Sequence, residues 1–318
     1  MKRILAIALA VLMLSQMSAC GTPEPSGTLP PQTQAPTQPT EPAATDPTQT
    51  EPADTVPPVT DPTVTVPAVT DPAPTDTVPP TAAPTDGPNL EALDTKVNTW
   101  GPGVDRDEAN RPNACLNLQK KFGEYEAYFI APAEGQIYLT FDEGYENGYT
   151  SRILDTLKEK NVKAVFFVTM PYCKENPDLV RRMIDEGHAV GNHSVRHKSM
   201  PTLTIHEMID EVMGLHDYVK EQFGYEMHLF RPPMGEFSQQ SLAVLQSLGY
   251  KTVQWSFAYY DYDPEDQMKP DKAFKKVTGA AHEGAIYLLH AISETNTEIL
   301  GDVIDHLRSG GYRLDLFH

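Results

Sequence analysis

Short apolar runs alternate with longer segments of helical apolar spacing along the second half of the chain. The runs are rich in β-branched and aromatic residues, a pattern typical of buried strands. They cover residues 137–142, 164–169, 189–192, 228–231, 251–256, 285–290 and 313–317. The segments that favour helices cover residues 149–160, 177–186, 204–223, 238–248, 271–277 and 295–309. This alternation predicts an α/β fold with a parallel sheet or barrel of about seven strands.

Residues 21–88 lack any such periodicity and are rich in Pro, Thr and Asp, with no Lys or Arg. Residues 55–62 recur nearly unchanged as residues 65–72. A segment of this composition buries too little apolar surface to offset the entropy lost on ordering, so we expect a disordered tether. At a polyproline-like rise, its roughly 65 residues could extend to about 200 Å.

The N-terminus carries a secretory signal. Two basic residues precede the apolar run 4–14, which is too short to span a membrane. Cys20, with small residues before it and Gly21 after it, resembles a bacterial lipoprotein box, so residues 1–20 are predicted to be a lipoprotein signal peptide. Diacylation of Cys20 would anchor the protein to the outside of the membrane. The alternative is an ordinary signal peptide cut near Ala19.

Residues 89–318 are long enough for one well-packed domain. We expect residues 137–318 to form the catalytic part and the less regular residues 89–136 to wrap it. Trp100 is interpreted as a packing residue, as is the aromatic cluster at residues 125–129. Cys115 and Cys173 are the cysteines of this region, and pairing and free buried thiols both stay open.

The net charge of the chain limits the classes of molecule that it can bind. The net charge is −19, about half of it in the tether, and Lys and Arg are not concentrated in any segment. This argues against a nucleic-acid partner.

Four segments that carry polar groups stand in order at the ends of predicted strands. They are Thr140–Thr150, His193–His197, Arg231–Gly235 and Leu288–Ser293. Because the carboxyl ends of parallel strands meet at one rim of a β/α fold, we expect these segments to converge on one pocket.

Each segment offers one part of a metal-dependent hydrolysis. His193 and His197 are four residues apart in a predicted turn, where two imidazoles can share a cation. A cation with open positions acidifies water and polarises a carbonyl. Asp142 would take the proton of the water, and His290 would protonate the leaving amine. Taken alone each segment has an ordinary explanation, and the prediction depends on their joint order.

Two further residues could support these groups. Arg231 could hold the carboxylate of Asp142, and Asp261 could accept the second ring N–H of His290.

At these residues the chain resembles the polysaccharide deacetylases of carbohydrate esterase family four. The family motifs are Thr-Phe-Asp-Asp-Gly, His-Ser/Thr-x-x-His, Arg-x-Pro and Leu-x-His. The similarity is closest to the delta-lactam-biosynthetic (peptidoglycan N-acetylmuramic acid) de-N-acetylases. In that branch the first motif continues as Gly-Tyr-Glu-Asn-Gly, as residues 144–148 do here, and residues 255–261 and 290–300 also look like it. The resemblance spans roughly Trp100 to the C-terminus.

The resemblance implies a distorted (β/α)7 barrel and a set of site residues. Asp142 would be the base and His290 the acid, with Arg231 and Asp261 as supporting catalytic residues. The metal ligands would be His193, His197 and Glu143. One divalent cation is implied, and zinc is favoured because imidazoles suit it.

The implied substrate is the glycan strand of peptidoglycan, with N-acetylmuramic acid preferred and muramic δ-lactam as the later product. The protein would be a monomer anchored through Cys20 and facing the cell wall. Arg196 is one candidate for contacting the lactyl carboxylate of muramic acid. Deacetylation of N-acetylglucosamine or of another glycan is an alternative.

Three positions depart from the family pattern. Glu143 replaces an Asp ligand and is one methylene longer, Tyr262 stands where a Trp is common, and Met234 stands where Tyr or Arg is commoner. The replacement at Glu143 motivates an alternative of another class, a wall-binding lipoprotein with a degenerate site.

Overall fold

The computed structural model describes residues 89–132 and 134–318. The predicted signal peptide and tether, residues 1–88, lie outside the described residues. Over the part that is described, no helix has the combination of length and apolar character needed to cross a membrane.

The described residues form strands and helices in close alternation. The strands are β1 Asn98–Thr99, β2 Ala127–Tyr128, β3 Gln136–Glu143, β4 Val165–Val168, β5 Ala189–Asn192, β6 Leu229–Phe230, β7 Glu236–Phe237, β8 Lys251–Val253, β9 Ala285–His290 and β10 Arg313–Leu314. The α-helices are α1 Asn113–Phe122, α2 Thr150–Glu159, α3 Met170–Glu175, α4 Pro177–Asp185, α5 Ile205–Phe223, α6 Gln239–Ser247, α7 Pro270–Gly279 and α8 Glu294–Ser309. Short 3-10 helices cover Leu90–Ala92, Gly123–Tyr125, Met200–Thr202 and Pro233–Gly235.

Each predicted apolar run overlaps an observed strand, and each predicted helical segment overlaps an observed α-helix. Helices α1 and α3 were not predicted. Helix α3 begins at Met170 behind a Thr169 cap, with Pro171 as its second residue. It has only six residues and is too short to show a helical period.

The main sheet is parallel and curled. Its strand order is β10-β3-β4-β5-β6-β8-β2, and β9 pairs with β3. Beyond β8, Phe257 forms a parallel bridge with Tyr287 of β9, and the amide N–H groups of Ser256 and Phe257 donate to Ile286. The curl therefore brings the chain after β8 back to β9, and the predicted parallel α/β fold of barrel type is confirmed.

Side chains of the strands alternate between two apolar clusters. In β4, Phe166 and Val168 pack in the cluster that contains the helices, whereas Val165 and Phe167 pack in a second cluster built from the other face of the strands. The same period of two puts Leu139 and Phe141 of β3 on the helix-covered face and Asp142 on the inner face. The inner face at the strand ends is therefore where the polar groups meet.

The segment before β3 packs on the strands through aromatic residues. Strand β1 pairs with β7, and β2 pairs in parallel with β8. Trp100 is buried, lies edge-on to Phe129 with ring centroids 5.0 Å apart, and donates from Nε1 to the Trp255 carbonyl at 2.9 Å. Trp100 is thus a packing residue, as expected.

Cys115 and Cys173 are both free and buried. They belong to separate apolar clusters, and burial raises the pKa of each thiol to about 12. The open question of pairing is settled in favour of free thiols.

Candidate active site

Asp142 is held at the end of β3 by a fully buried arginine. Arg231 Nη1 donates to Asp142 Oδ1 at 2.7 Å. The other donors of Arg231 bind the carbonyls of Val253 at 3.0 Å and Gln254 at 3.2 Å, and its guanidinium lies 4.2 Å from the ring centre of Phe167. The predicted pairing of Arg231 with Asp142 is observed, and it leaves Asp142 Oδ2 on the side of the histidines.

The surroundings of Asp142 keep it ionised. Burial acts to raise its pKa, but the charge and hydrogen bond of Arg231 and the charges that His193 and His290 can carry together outweigh this effect. The pKa of Asp142 is therefore below its ordinary value. An ionised carboxylate in a buried site is suited to accept a proton.

His193 and His197 face each other across the pocket. His193 Nδ1 lies 2.8 Å from the Arg231 carbonyl, which can only accept, so Nδ1 carries the proton and Nε2 presents a lone pair. The Nε2 atoms of the two histidines are 3.2 Å apart, and His193 Nε2 is 3.6 Å from Asp142 Oδ2. Burial lowers the pKa of His193 to about 4 and also lowers that of His197, so both rings are neutral at pH 7.

This histidine pair fits a divalent cation. Two nitrogens bound to one tetrahedral zinc at about 2.0–2.1 Å stand about 3.3 Å apart, close to the observed separation of 3.2 Å. Neutral imidazole nitrogens are also donors that suit zinc.

Glu143 does not join the histidine pair. Its side chain is fully buried, neither carboxyl oxygen has a hydrogen-bond partner among the described residues, and Glu146, Thr150 and Tyr172 lie around it. Burial raises the pKa of Glu143 well above its ordinary value, and the charges of Glu146 and Asp142 act in the same direction. Burial therefore favours the neutral form of this carboxyl.

The expectation of a third donor at Glu143 is corrected by this geometry. Across residues 89–132 and 134–318, no group of three His, Cys, Asp or Glu side chains is placed to hold a metal ion. The reason is strand alternation: consecutive residues of β3 point to opposite faces, so Asp142 faces the pocket and Glu143 faces the helices.

His290 is held by Asp261, as predicted. Asp261 Oδ1 accepts from His290 Nδ1 at 2.7 Å, and Oδ2 accepts from the His290 backbone N–H at 2.9 Å. Asn296 also donates to Asp261 at 2.6 Å and is in turn bound by the hydroxyl of Tyr259 at 2.5 Å. Burial acts to lower the pKa of His290, but Asp261 and then Asp142 outweigh it, so the pKa is raised.

These groups share one small cavity of about 150 Å³. It is lined by Asp142, Gly144, Tyr145, His193, His197, Tyr262, His290 and Ile292. Tyr145 and Tyr262 are about half exposed, and the ring centre of Tyr262 is 5.7 Å from that of His290. Met234 is exposed with a left-handed φ of 58° but does not line the cavity.

The residues that follow Tyr145 in the motif 144–148 anchor the loop that carries it. Glu146 accepts from the backbone N–H of Gly148 and of Thr150 at the start of α2. Asn147 donates to the carbonyl of Ile292 at 3.1 Å, which ties this loop to the one that follows β9. The motif therefore presents Tyr145 at the rim from an anchored loop.

Arg196, considered from the sequence as a contact for the lactyl carboxylate, is paired with Glu211. Its Nε donates to Glu211 Oε1 at 2.5 Å, and Glu211 is fully buried on α5. More than half of the Arg196 side chain is exposed.

Several supporting residues were missed by sequence reasoning, namely Glu211, Asn296, Tyr259 and Glu146. A signal existed for Glu211, because it interrupts the apolar stripe that Met208, Val212 and Leu215 form on α5. Asn296 lies three residues after Ser293, where the sequence indicates a helix start but not a contact with Asp261.

The chain is similar to several known proteins. The polysaccharide deacetylase family model matches residues 130–253. The peptidoglycan-N-acetylmuramic acid deacetylase PdaA of Bacillus subtilis is 42% identical over 225 residues, which are 70% of this chain and 85% of PdaA. The solved structure of Bacillus subtilis PdaA, a family 4 carbohydrate esterase, has a TM-score of 0.67 at 38% identity and covers 70% of this chain and 96% of its own.

A family 4 carbohydrate esterase from Bacillus anthracis has a TM-score of 0.59 at 35% identity, and it covers 71% of this chain and 96% of its own. Both solved structures share the overall fold of this chain. The chain therefore belongs to the polysaccharide deacetylases, the carbohydrate esterases of family 4.

Proposed function

We propose that the protein is a metal-dependent hydrolase that removes acetyl groups from the amino sugars of peptidoglycan. The observation that carries this is the meeting of an ionised carboxylate, two neutral imidazoles and a carboxylate-bound histidine in one cavity. Amide hydrolysis needs a base for water, an electrophile for the carbonyl and an acid for the leaving nitrogen.

Asp142 acts as the base in this proposal. Arg231 occupies Oδ1, so Oδ2 is the oxygen that accepts a proton from the attacking water. A divalent cation held by His193 and His197 would supply Lewis-acid chemistry, polarising the acetyl carbonyl and acidifying the water. Zinc suits the two neutral imidazoles.

His290 acts as the acid. Asp261 accepts from Nδ1, which orients the ring and favours its protonated form. Nε2–H then protonates the sugar nitrogen as the C–N bond breaks. Water is added across the amide, so acetate and the free amine are the products.

The size of the cavity supports an acetyl group as the part that enters it. A volume of about 150 Å³ holds a small acyl group but not a whole disaccharide. The sugar would then lie on the rim against Tyr145 and Tyr262, whose exposed rings offer flat apolar surfaces.

N-acetylmuramic acid is the proposed sugar, in line with the name of the Bacillus subtilis relative. Its freed amine could close on the lactyl carboxyl as a δ-lactam. The test is acetate release from peptide-stripped glycan strands compared with chitooligosaccharides, with mass spectrometry of the products. Equal rates on both, or deacetylation at glucosamine alone, would refute the muramic assignment and leave the deacetylase assignment standing.

The metal requirement has its own test. A chelator should abolish turnover, zinc should restore it, and His193→Ala should lose both bound zinc and activity. Full activity in a metal-free enzyme would contradict the mechanism.

One observation favours a second candidate function, a wall-binding protein with a degenerate site. Three metal donors were expected, two histidines and the carboxylate of Glu143. Glu143 stands apart from the histidine pair, so only two of the three donors lie together among the described residues. Acetate release that depends on added divalent metal would exclude this candidate, whereas glycan binding without release would support it.

We also propose that the protein acts outside the membrane as a monomeric lipoprotein. Diacylated Cys20 and the tether of residues 21–88 would let the catalytic domain reach the cell wall.

A further inference from the structure

One buried carboxylate of helix α5 lies directly beneath the loop that carries the two histidines. Glu211 Oε2 accepts from the backbone N–H of Arg196 at 2.7 Å, and Oε1 accepts from Arg196 Nε at 2.5 Å. The backbone carbonyl of Glu211 accepts from Val195 N–H at 3.1 Å. A single helical residue thus makes three hydrogen bonds to two consecutive loop residues.

The helix is closely fitted to this loop around Glu211. Asn192, which precedes His193, donates from Nδ2 to the Val212 carbonyl at 2.8 Å. At Gly214 an added Cβ would lie only 3.1 Å from Val195 Cγ2. The loop therefore rests on α5 without a gap.

The loop has an unfavourable backbone conformation that requires such support. Ser194 and His197 have φ angles of 71° and 54°, in the left-handed region that residues other than glycine seldom adopt. The ends of the loop are held locally, since Ser194 N–H donates to Asn192 Oδ1 and His197 N–H donates to Ser194 Oγ, each at 2.9 Å. Between these ends, the backbone N–H groups of Val195 and Arg196 both donate to Glu211.

We propose that Glu211 is a positioning residue that sets the separation of His193 and His197 for a divalent cation. Its hydrogen bonds go to two of the three residues between the histidines, Val195 and Arg196, and it acts by fixing them. A carboxylate is required because two donors of Arg196 approach its two oxygens, and an amide offers only one acceptor oxygen. This proposal rests on the metal-dependent function proposed above.

The test is zinc binding in the absence of substrate, measured by competition with a chromophoric chelator. Glu211→Gln is the chosen variant, because it keeps the shape and leaves no unpaired buried charge while Arg196 stays partly exposed to water. We expect the zinc Kd to rise about 10–100-fold, the range for partners that orient metal ligands. Glu221→Gln, a substitution at an exposed position of the same helix, should leave the Kd unchanged.

A second readout separates positioning from a general loss of structure. In Glu211→Gln, amide hydrogen exchange should become faster at Val195 and Arg196, while the exchange of β3 and β9 stays as in the unsubstituted protein. The absorption spectrum of the cobalt-loaded variant should also change, because it reports the arrangement of the bound ligands.

If Glu211→Gln does not fold, Arg196→Ala replaces it in the test. This variant removes the bond from Arg196 Nε to Glu211 Oε1 by changing a side chain that is more than half exposed. A several-fold rise in Kd is then expected, smaller than for Glu211→Gln because the backbone N–H bond to Oε2 remains. Equal zinc affinity in the unsubstituted protein and the folded variant would overturn the role of Glu211 alone. A failure of the unsubstituted protein to bind zinc would overturn the metal-dependent function and this proposal with it.

Discussion

The neighbouring carboxyl groups of Asp142 and Glu143 have opposite environments. Asp142 faces the cavity, where Arg231 lowers its pKa, and Glu143 faces the helices, where burial raises its pKa. Strand alternation therefore gives two adjacent carboxyl groups pKa values shifted in opposite directions. This contrast, together with the pair of Asp261 and His290, can be tested by substitutions of single residues.

Asp142→Asn should lower the turnover number by about 10²–10⁴-fold, because the amide keeps the shape but cannot accept a proton. Zinc should remain bound, since His193 and His197 are untouched. Steady-state acetate release and metal analysis of the same preparation check both statements. Asp266→Asn, at an exposed position outside the cavity lining, is the control, and loss of zinc from Asp142→Asn would instead make Asp142 a ligand.

Glu143→Gln should make the protein relatively more stable as the pH rises. The folded pKa of Glu143 lies above the unfolded value, so folding takes up a proton and the stability of the natural protein falls as the pH rises through that window. Gln does not titrate and does not lose this stability. The Tm of the variant minus the Tm of the natural protein should therefore be more positive at pH 7 than at pH 4.5. A difference independent of pH would contradict the raised pKa. Zinc affinity should stay within about threefold, because losses of about 10-fold or more are expected only for ligands and their direct partners.

Asp261→Asn should move the alkaline limb of the pH–rate profile to lower pH. The acid must be protonated to act, and the raised pKa of His290 depends first on the hydrogen bond and charge of Asp261. Removing that charge lowers the pKa, so activity is lost at a lower pH. The profile of kcat/KM against pH measures the shift, and an unmoved alkaline limb would show that another group titrates there.

Among the elements, neighbouring strands place a glycine and an aromatic ring beneath the base. Gly191 of β5 pairs with Phe167 of β4, which pairs with Asp142 of β3. An added Cβ at Gly191 would lie 2.4 Å from Phe167 Cδ1. The missing side chain therefore leaves room for the ring on which Arg231 packs.

Gly191→Ala should destabilise the fold by about 1–3 kcal/mol, as overpacking of a close-packed core does. It should also lower kcat/KM, because a displaced Phe167 shifts Arg231 and so the base. Chemical denaturation and acetate release are the measurements. Gly279→Ala at the end of α7, where an added Cβ meets nothing within 4 Å, should change stability by less than about 0.5 kcal/mol, and an equally small effect at Gly191 would rule out the packing argument.

For the molecule as a whole, the proposed anchor and tether decide where the chemistry takes place. Cys20→Ala should move the protein from the membrane fraction to the medium, because two acyl chains anchor stably whereas a signal peptide cut elsewhere leaves none. Fractionation and mass spectrometry of the mature N-terminus test this, with Thr22→Ala as the control. Membrane retention of Cys20→Ala, or an unmodified N-terminus in the natural protein, would refute the lipoprotein assignment.

The order of strands and helices, and the rim at which the polar groups meet, could be predicted from the sequence. Apolar period and chain order are local properties, so the runs at residues 137–142 and 285–290 appear as β3 and β9 with shifts of at most a residue or two. Asp142, His193, Arg231 and His290 could be named because parallel strands deliver their carboxyl ends to one edge. The pairs of Arg231 with Asp142 and of Asp261 with His290 are likewise observed.

The remaining neighbours of these residues depend on tertiary packing and could not be predicted. Glu143 lies one position from Asp142 in the chain, yet the strand turns it to the opposite face, and it does not line the cavity of the histidines. Glu211 stands 14 residues beyond His197 and reaches the histidine loop only because α5 packs beneath it. Such contacts form between residues that are brought together by packing of distant segments. The local sequence pattern does not determine the distance between those segments.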